Sequence, residues 1–402
     1  MKHTTKAAAI GLLAAFSIVA AACGSDDEAA VTTDAATDTT IADTTPTTDG
    51  ASDTTTATTD EAVCPKNVVI QTDWWPELEH GGTYQLIGPN GKADAGAFRY
   101  SGPIQDQYKV GGVETVEIRA GGDAVSFQGV DSLLASDDDI MFGYVNLSDV
   151  MKSSKTIPLT VVGKTLEHDP QMIMWDPTQN DIQKPEDIAA SGKEVLHFEG
   201  AAYIDYMIGK GYMTADQSNP SYGGAPDAWI AAGGDIFQQG FATNEVFKYE
   251  NIFEWKDGKP ADVSFYTVAD LGFDNYAATM TVRSDRLEEF SPCLKLLVPK
   301  MAQAWVDYLA DPTPMTDELI AINETYDTYW KLSPELNAAG LKIVEDEGFG
   351  DNSMDGTYCS IDPDRVTTLA DQLAPIFEAQ GQEVGDMTAV YDNSFCEGAP
   401  GR

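Results

Sequence analysis

The chain has 402 residues, with 24 Lys and Arg against 65 Asp and Glu and a formal net charge of −41. A surface this acidic suits neither nucleic acid nor anionic lipid headgroups, which excludes those function classes. Hydrophobic residues make up 43% of the chain, enough for a sizeable core, and the length favours two lobes over a single one.

The N-terminus reads as an export signal over 1–22: Lys2, His3 and Lys6, then an Ala-rich apolar run from Ala7 to Ala22. That run is short for a membrane-spanning helix, and small residues precede the expected cut. Val19-Ala20-Ala21-Ala22-Cys23-Gly24 resembles a bacterial lipobox, with Ala20 where Leu is usual. The resemblance implies that Cys23 is lipidated and anchors the chain to the outer face of the cell membrane. Residues 23–62 follow as a tether rich in Thr and Asp, without aromatic residues, Lys or Arg. Such a segment buries too little apolar surface to offset the entropy of ordering it.

The body from Val63 onward carries Cys64, Cys293, Cys359 and Cys396. An even number in an exported chain predicts two disulfides, with three possible pairings. A clasp between Cys64 and Cys396, near the two ends of the body, is attractive, and leaves Cys293 with Cys359.

Asn67 to Gln71 reads as a buried strand, ended by the Asp73-Trp74-Trp75-Pro76 loop. Further strands are predicted over Val113–Ile118, Asp139–Tyr144, Ile157–Val162, Lys193–Phe198, Val263–Val268 and Asn275–Val282. Short helices are predicted over Ala124–Leu134, Asp149–Lys155 and Ala202–Gly209, with helix and turn over Asp227–Gly234 and Asp235–Thr243. This alternation predicts an α/β fold with a parallel sheet. Helices dominate the C-terminal section: Asp285–Glu289, Cys293–Ala310, Thr316–Trp330 and Pro363–Ala379, the longer ones with apolar residues three and four apart.

Catalytic motifs are absent. The body holds only His80, His168 and His197, with no H-E-x-x-H, G-x-S-x-G or phosphate-loop pattern. Asp351-Asn352-Ser353-Met354-Asp355-Gly356, with Asp362, departs from a calcium loop at Ser353 and Asp362 and reads as a polar turn. No enzyme, metal or cofactor is expected.

Trp74-Trp75-Pro76-Glu77-Leu78-Glu79-His80-Gly81-Gly82-Thr83-Tyr84 is the strongest local signal. It resembles the first strand, loop and helix of ABC-transporter solute-binding proteins of the thiamine-pyrimidine and nitrate/sulfonate/taurine type. Asp139–Tyr144, Thr156–Val162, Lys184–Ile188, Ala231–Asp235 and Tyr391–Phe395 resemble further segments of that family in the same order. The resemblance implies a type II periplasmic-binding-protein fold: two α/β lobes with a ligand cleft between them. Lobe 1 is placed at 63–165 plus 275–402, and lobe 2 at 166–274. It also implies a small-molecule solute and an ABC permease as partners, and a monomer.

Ligands of such folds settle where loops leave the carboxyl ends of strands. Candidate contacts are therefore Asp73, Trp74, Trp75 and His80 after the first strand, and Tyr144 after the third. Glu199, Tyr203, Tyr222 and Glu245 stand across the cleft, and Asn275 at the crossover. Adjacent residues of extended chain point oppositely, so one indole of the pair is expected in the cleft, and Trp74 is favoured. These loops carry acids and no Lys or Arg. A neutral or cationic heteroaromatic solute, such as a pyrimidine precursor of thiamine, fits that field better than nitrate, sulfonate or taurine, which form the alternative. A pyrimidine-synthesising enzyme on the same scaffold, or a sensory or adhesion module, are further alternatives. The enzyme carries a Cys-rich motif and a cofactor-binding Lys, and no Cys cluster stands here.

Overall fold

The computed structural model describes residues 62–402. The export signal, Cys23 and the tether as far as Glu61 lie outside the described residues. In chain order, β1 (Asn67–Gln71) leads through α1 (Gly81–Tyr84) to β2 (Lys92–Asp94), β3 (Arg99–Pro103), β4 (Thr115–Arg119), α2 (Val130–Ser136), β5 (Ile140–Val145), α3 (Leu147–Ser153) and β6 (Leu159–Gly163). Then come β7 (Gln171–Trp175), α4 (Glu186–Ser191), β8 (Val195–Leu196), α5 (Ala202–Lys210), β9 (Ser218–Asn219), α6 (Asp227–Ala232), β10 (Phe237–Phe241), α7 (Glu245–Asn251) and β11 (Ser264–Thr267). The chain continues through β12 (Thr279–Arg283) into α8 (Leu287–Ala310), α9 (Thr313–Tyr326), α10 (Pro334–Asp346) and α11 (Pro363–Ala379).

Two sheets result. The first has the order β2-β3-β4-β1-β5-β12-β6, and the second β11-β7-β10-β8-β9. β1 runs parallel to β4 and β5, while β12 lies antiparallel between β5 and β6. Both sheets are mixed rather than purely parallel: β12 re-enters the first sheet from the second in the opposite direction, β3 is antiparallel to β2 and β4, and β7 is antiparallel to β10 and β11 in the second sheet. This is the α/β periplasmic-binding-protein fold.

Alternation along β1 sends Val68 and Ile70 to one face and Val69 to the other. The first face packs on α8 through Leu294, Leu297, Val298 and Trp305. The second packs on α2, α3 and α11 through Leu134, Val150 and Leu369. β5 is buried at all six positions, as its unbroken apolar sequence requires. In the second sheet, Ile173 and Trp175 face α5, while Met172 and Met174 face Trp229 of α6 and Tyr249 of α7.

Several expectations need correction. Residues 235–243 hold a strand, β10, rather than helix and turn. Its Gln238 and Gln239 read as polar in sequence but are buried and bonded: Gln238 donates to the Tyr249 hydroxyl at 2.8 Å and Gln239 accepts from the Phe198 N–H at 2.7 Å. The strand expected from Asn275 begins only at Thr279, after Ala278 at φ 46°. The two helices expected over 285–310 are one, α8; Pro292 and Pro299 do not end it, because its buried face is held by the first sheet. The β2–β3 hairpin, α7 and α10 add to the expected elements, although Ser333-Pro334-Glu335 marks the start of α10 locally, with the Ser333 side chain capping the Leu336 N–H.

The disulfides join Cys64 to Cys293 and Cys359 to Cys396, not Cys64 to Cys396. Cys64 precedes β1 at the amino end of the parallel strands. Cys396 reaches the Val162 carbonyl near the carboxyl end of β6, three strands away. A clasp between them would have to span the sheet. The chain between the sheets is held by charge instead: Glu167 bonds Lys164 and Arg365, and Arg365 reaches Asp274 at 3.2 Å.

Candidate functional site

A cavity of about 810 Å³ opens where β1, β5, β8 and β10 deliver their carboxyl-end loops towards one another. Thr72 prepares the first of these loops: its hydroxyl donates to the Trp74 carbonyl at 2.9 Å and to the Arg119 carbonyl at 3.0 Å. The Asp73 and Trp74 carbonyls accept from Gly122 and Gly121, each at 2.9 Å. Gly122 has φ 61°, and a Cβ there would meet the Trp74 ring at 2.7 Å. Glycine is needed at 122 for the indole to lie flat on the loop.

Trp74 and Trp75 point apart. Trp74 lines the cavity beside Phe198 and Trp330, both 5.6 Å away between ring centres, and Phe127 at 6.1 Å. Phe198 in turn packs on Tyr222 at 5.0 Å. This aromatic wall draws on both sheets. Trp75 is 1% exposed and packs on Phe98 and Tyr326 inside the first core, so it is not a cavity residue. The pleat of extended chain is the reason.

His80 is also outside the lining. Its Nε2 lies 2.8 Å from Asp73 and its Nδ1 3.1 Å from the Trp75 carbonyl, so it holds Asp73 in place. The other sequence-stated candidates converge: Asp73, Tyr144, Glu199, Tyr203, Tyr222, Glu245 and Asn275 all line the cavity. Glu199 is exposed at the rim. The Tyr203 hydroxyl donates to Gln239 at 2.7 Å. Asn275 accepts from the Ser148 N–H at 3.1 Å and donates to Asp169 at 3.0 Å, tying α3 to the chain entering β7.

Burial of acids sets the electrostatics. Burial pushes Asp149 and Asp169 up to about 6. It also raises Glu77, with Glu79 and Asp73 adding repulsion, and raises Glu245, which Lys248 partly opposes. Lys248 is itself lowered by burial and sits 3.8 Å over the Trp330 ring. Lys152, from α3, is the single cationic side chain among the described lining residues. Stacking faces, amides and carboxylates together suit a flat solute bearing hydrogen-bond donors.

The sequence profile of the NMT1/THI5-like family matches residues 108–314, about half of the chain. The chain belongs to the NMT1/THI5-like family. Solved structures share the fold of this family member at low identity. The periplasmic aliphatic sulphonate-binding protein SsuA of Escherichia coli is 11% identical, with 82% of this chain and 93% of that one covered and a TM-score of 0.53. The ligand-binding component of an ABC-type import system from Staphylococcus aureus, solved with zinc, is 11% identical, with 83% and 99% covered and a TM-score of 0.51. The alkanesulfonate-binding SsuA of Xanthomonas axonopodis pv. citri, bound to MOPS, is 12% identical, with 81% and 96% covered and a TM-score of 0.50. No curated protein matches the chain.

Sequence reasoning missed part of the lining of this NMT1/THI5-like protein. Phe198 stands beside Glu199 at a strand end, and that position was its only signal. Asp149, Asp169 and Gln239 carried none, since nothing local says that a polar residue will be buried. Trp330 reaches the cavity from beyond α9, 256 positions after Trp74.

Proposed function

We propose that this protein is the extracytoplasmic solute-binding component of an ABC importer, capturing a small neutral or cationic heteroaromatic solute without chemical conversion. On this reading residues 63–165 and 275–402 form one lobe and 166–274 the other, and closure about the two crossovers buries the solute. The observation that carries it is the cavity between the two sheets, with an aromatic wall and an excess of carboxylates over its one lysine. The fold shared with import-system binding proteins supports the same reading. In the cell the chain is anchored through Cys23 after removal of 1–22. Labelling with a radioactive fatty acid tests that anchor: incorporation that survives Cys23→Ser removes it.

A thermal-shift panel tests the capture reading. It contains 4-amino-5-hydroxymethyl-2-methylpyrimidine, its 5-aminomethyl analogue, ethanesulfonate, taurine and nitrate. An aminopyrimidine should raise the melting temperature in a concentration-dependent way, since a ligand at about 100 times its Kd adds about 2.7 kcal/mol. A shift with ethanesulfonate, taurine or nitrate alone would replace the heteroaromatic solute with an anion. Conversion of a pyrimidine in the same mixture would make the protein an enzyme.

A further inference from the structure

Glu77 stands apart from every other buried acid of the cavity. Its residue is 7% exposed, it lines the cavity, and its carboxylate has no hydrogen-bond donor among the described residues. The neighbouring acids, buried or half-buried, each have a donor. The His80 ring meets Asp73 at 2.8 Å, and the Phe241 N–H donates to Glu245 at 2.7 Å. Asn146 donates to Asp149 at 3.2 Å, and the Gln171 N–H to Asp169 at 2.9 Å. Glu79, behind the cavity, accepts from the Thr243 hydroxyl through Oε1, while its Oε2 has no partner among the described residues.

The nearby cations give Glu77 no hydrogen bond. His80 Nε2 is 4.0 Å from Glu77 but bound to Asp73. Lys248 lies over Trp330 and forms no direct ion pair with a carboxylate among the described residues, so its charge opposes those of Glu77, Glu79 and Glu245 only from a distance. A largely buried carboxylate whose oxygens meet only the cavity and no protein donor is unfavourable, and a ligand that brings the donor and the charge relieves it. The aromatic faces beside it attract the same kind of group.

We infer that the solute of this cleft carries a protonated nitrogen, and that Glu77 is the carboxylate that receives it beside the wall of Trp74, Phe198, Tyr222 and Trp330. The inference rests on the reading of the cavity as a solute site and narrows it to organic ammonium or amidinium compounds with a flat apolar body. Glu77 is then a specificity-determining residue: it selects the cation over a neutral isostere of the same shape.

Calorimetry at pH 7.5 with matched pairs tests this. The pairs are 4-amino-5-aminomethyl-2-methylpyrimidine against its 5-hydroxymethyl counterpart, and benzylamine against benzyl alcohol. In at least one pair the ammonium compound should bind tenfold or more tightly than its neutral partner. Glu77→Gln should abolish that preference while moving the neutral compound less than twofold. Glu77→Asp, which keeps the charge, should retain the preference at reduced affinity. A melting temperature of Glu77→Gln at or above that of the unaltered protein shows that the variant is folded. Should Glu77→Gln melt lower, the preference in the unaltered protein and in Glu77→Asp decides alone. Equal or tighter binding of the neutral compounds overturns the inference, as does a preference that survives in Glu77→Gln. Silence from both ammonium probes also overturns it. The capture reading falls only if, in addition, the whole solute panel leaves the melting temperature unmoved.

Discussion

Two adjacent indoles part, one into the first core and one onto the cavity wall. Trp75 is sealed in the first core, so Trp75→Ala removes a large buried ring and should cost about 3–5 kcal/mol in urea unfolding. Trp74 is half-buried at the cavity, and Trp74→Ala should leave most of the stability while lowering affinity for a bound aminopyrimidine tenfold or more. Equal destabilisation by both variants, with ligand shifts intact, would remove Trp74 from the site. The Asp73-Trp74-Trp75 loop was legible in the sequence because an aromatic pair before Pro, after an apolar strand, has few uses. The opposite fates of the pair were legible too, from the alternation of extended chain. The isolation of Glu77 was not: whether a carboxylate finds a donor depends on His80, just before α1, and on Lys248, from α7 far along the chain.

At the scale of elements, α3 and the chain entering β7 each bring an acid to the cavity. Asp149 lies in the first turn of α3, and Asp169 two residues before β7. Burial raises both to about 6. An unfolded Asp titrates at about 4, so between that value and 6 the folded chain binds more protons than the unfolded one. Their contribution to stability is therefore fully present below about pH 4, falls as pH rises towards 6, and levels off above it. Glu77, Glu79 and Glu245 are raised as well and act with the same sign. Unfolding free energy measured from pH 4.5 to 7 should decline less steeply in Asp149→Asn than in the unaltered protein. Identical slopes would show that Asp149 does not titrate in this window. The helix itself is readable from Leu147, Val150 and Met151, which share its buried face. Strand β10 was unreadable because Gln238 and Gln239 break the apolar run. Their partners, Tyr249, Phe198 and Tyr203, lie on other elements.

The molecule as a whole is stapled at two sites on the first sheet's side. Cys64–Cys293 closes 229 residues of chain and Cys359–Cys396 closes 37. In the chain-entropy account a longer loop restrains the unfolded state more, so the paired change Cys64→Ser with Cys293→Ser should destabilise more than Cys359→Ser with Cys396→Ser. Losses on the order of 2–5 kcal/mol are expected, read by chemical unfolding of the two double variants. The reverse ranking would show that native packing around Cys359, buried with Tyr358, outweighs the loop term. The sequence by itself determined the α/β class, most strands, the C-terminal helices and the acidic character of the cleft, because apolar periodicity and net charge are local or additive properties. Tertiary structure alone decided the disulfide pairing, the direction of β12, the closing of the wall by Trp330 and the lack of a donor to Glu77. Each of these depends on which distant segments meet across the sheets, and no window of sequence contains that information.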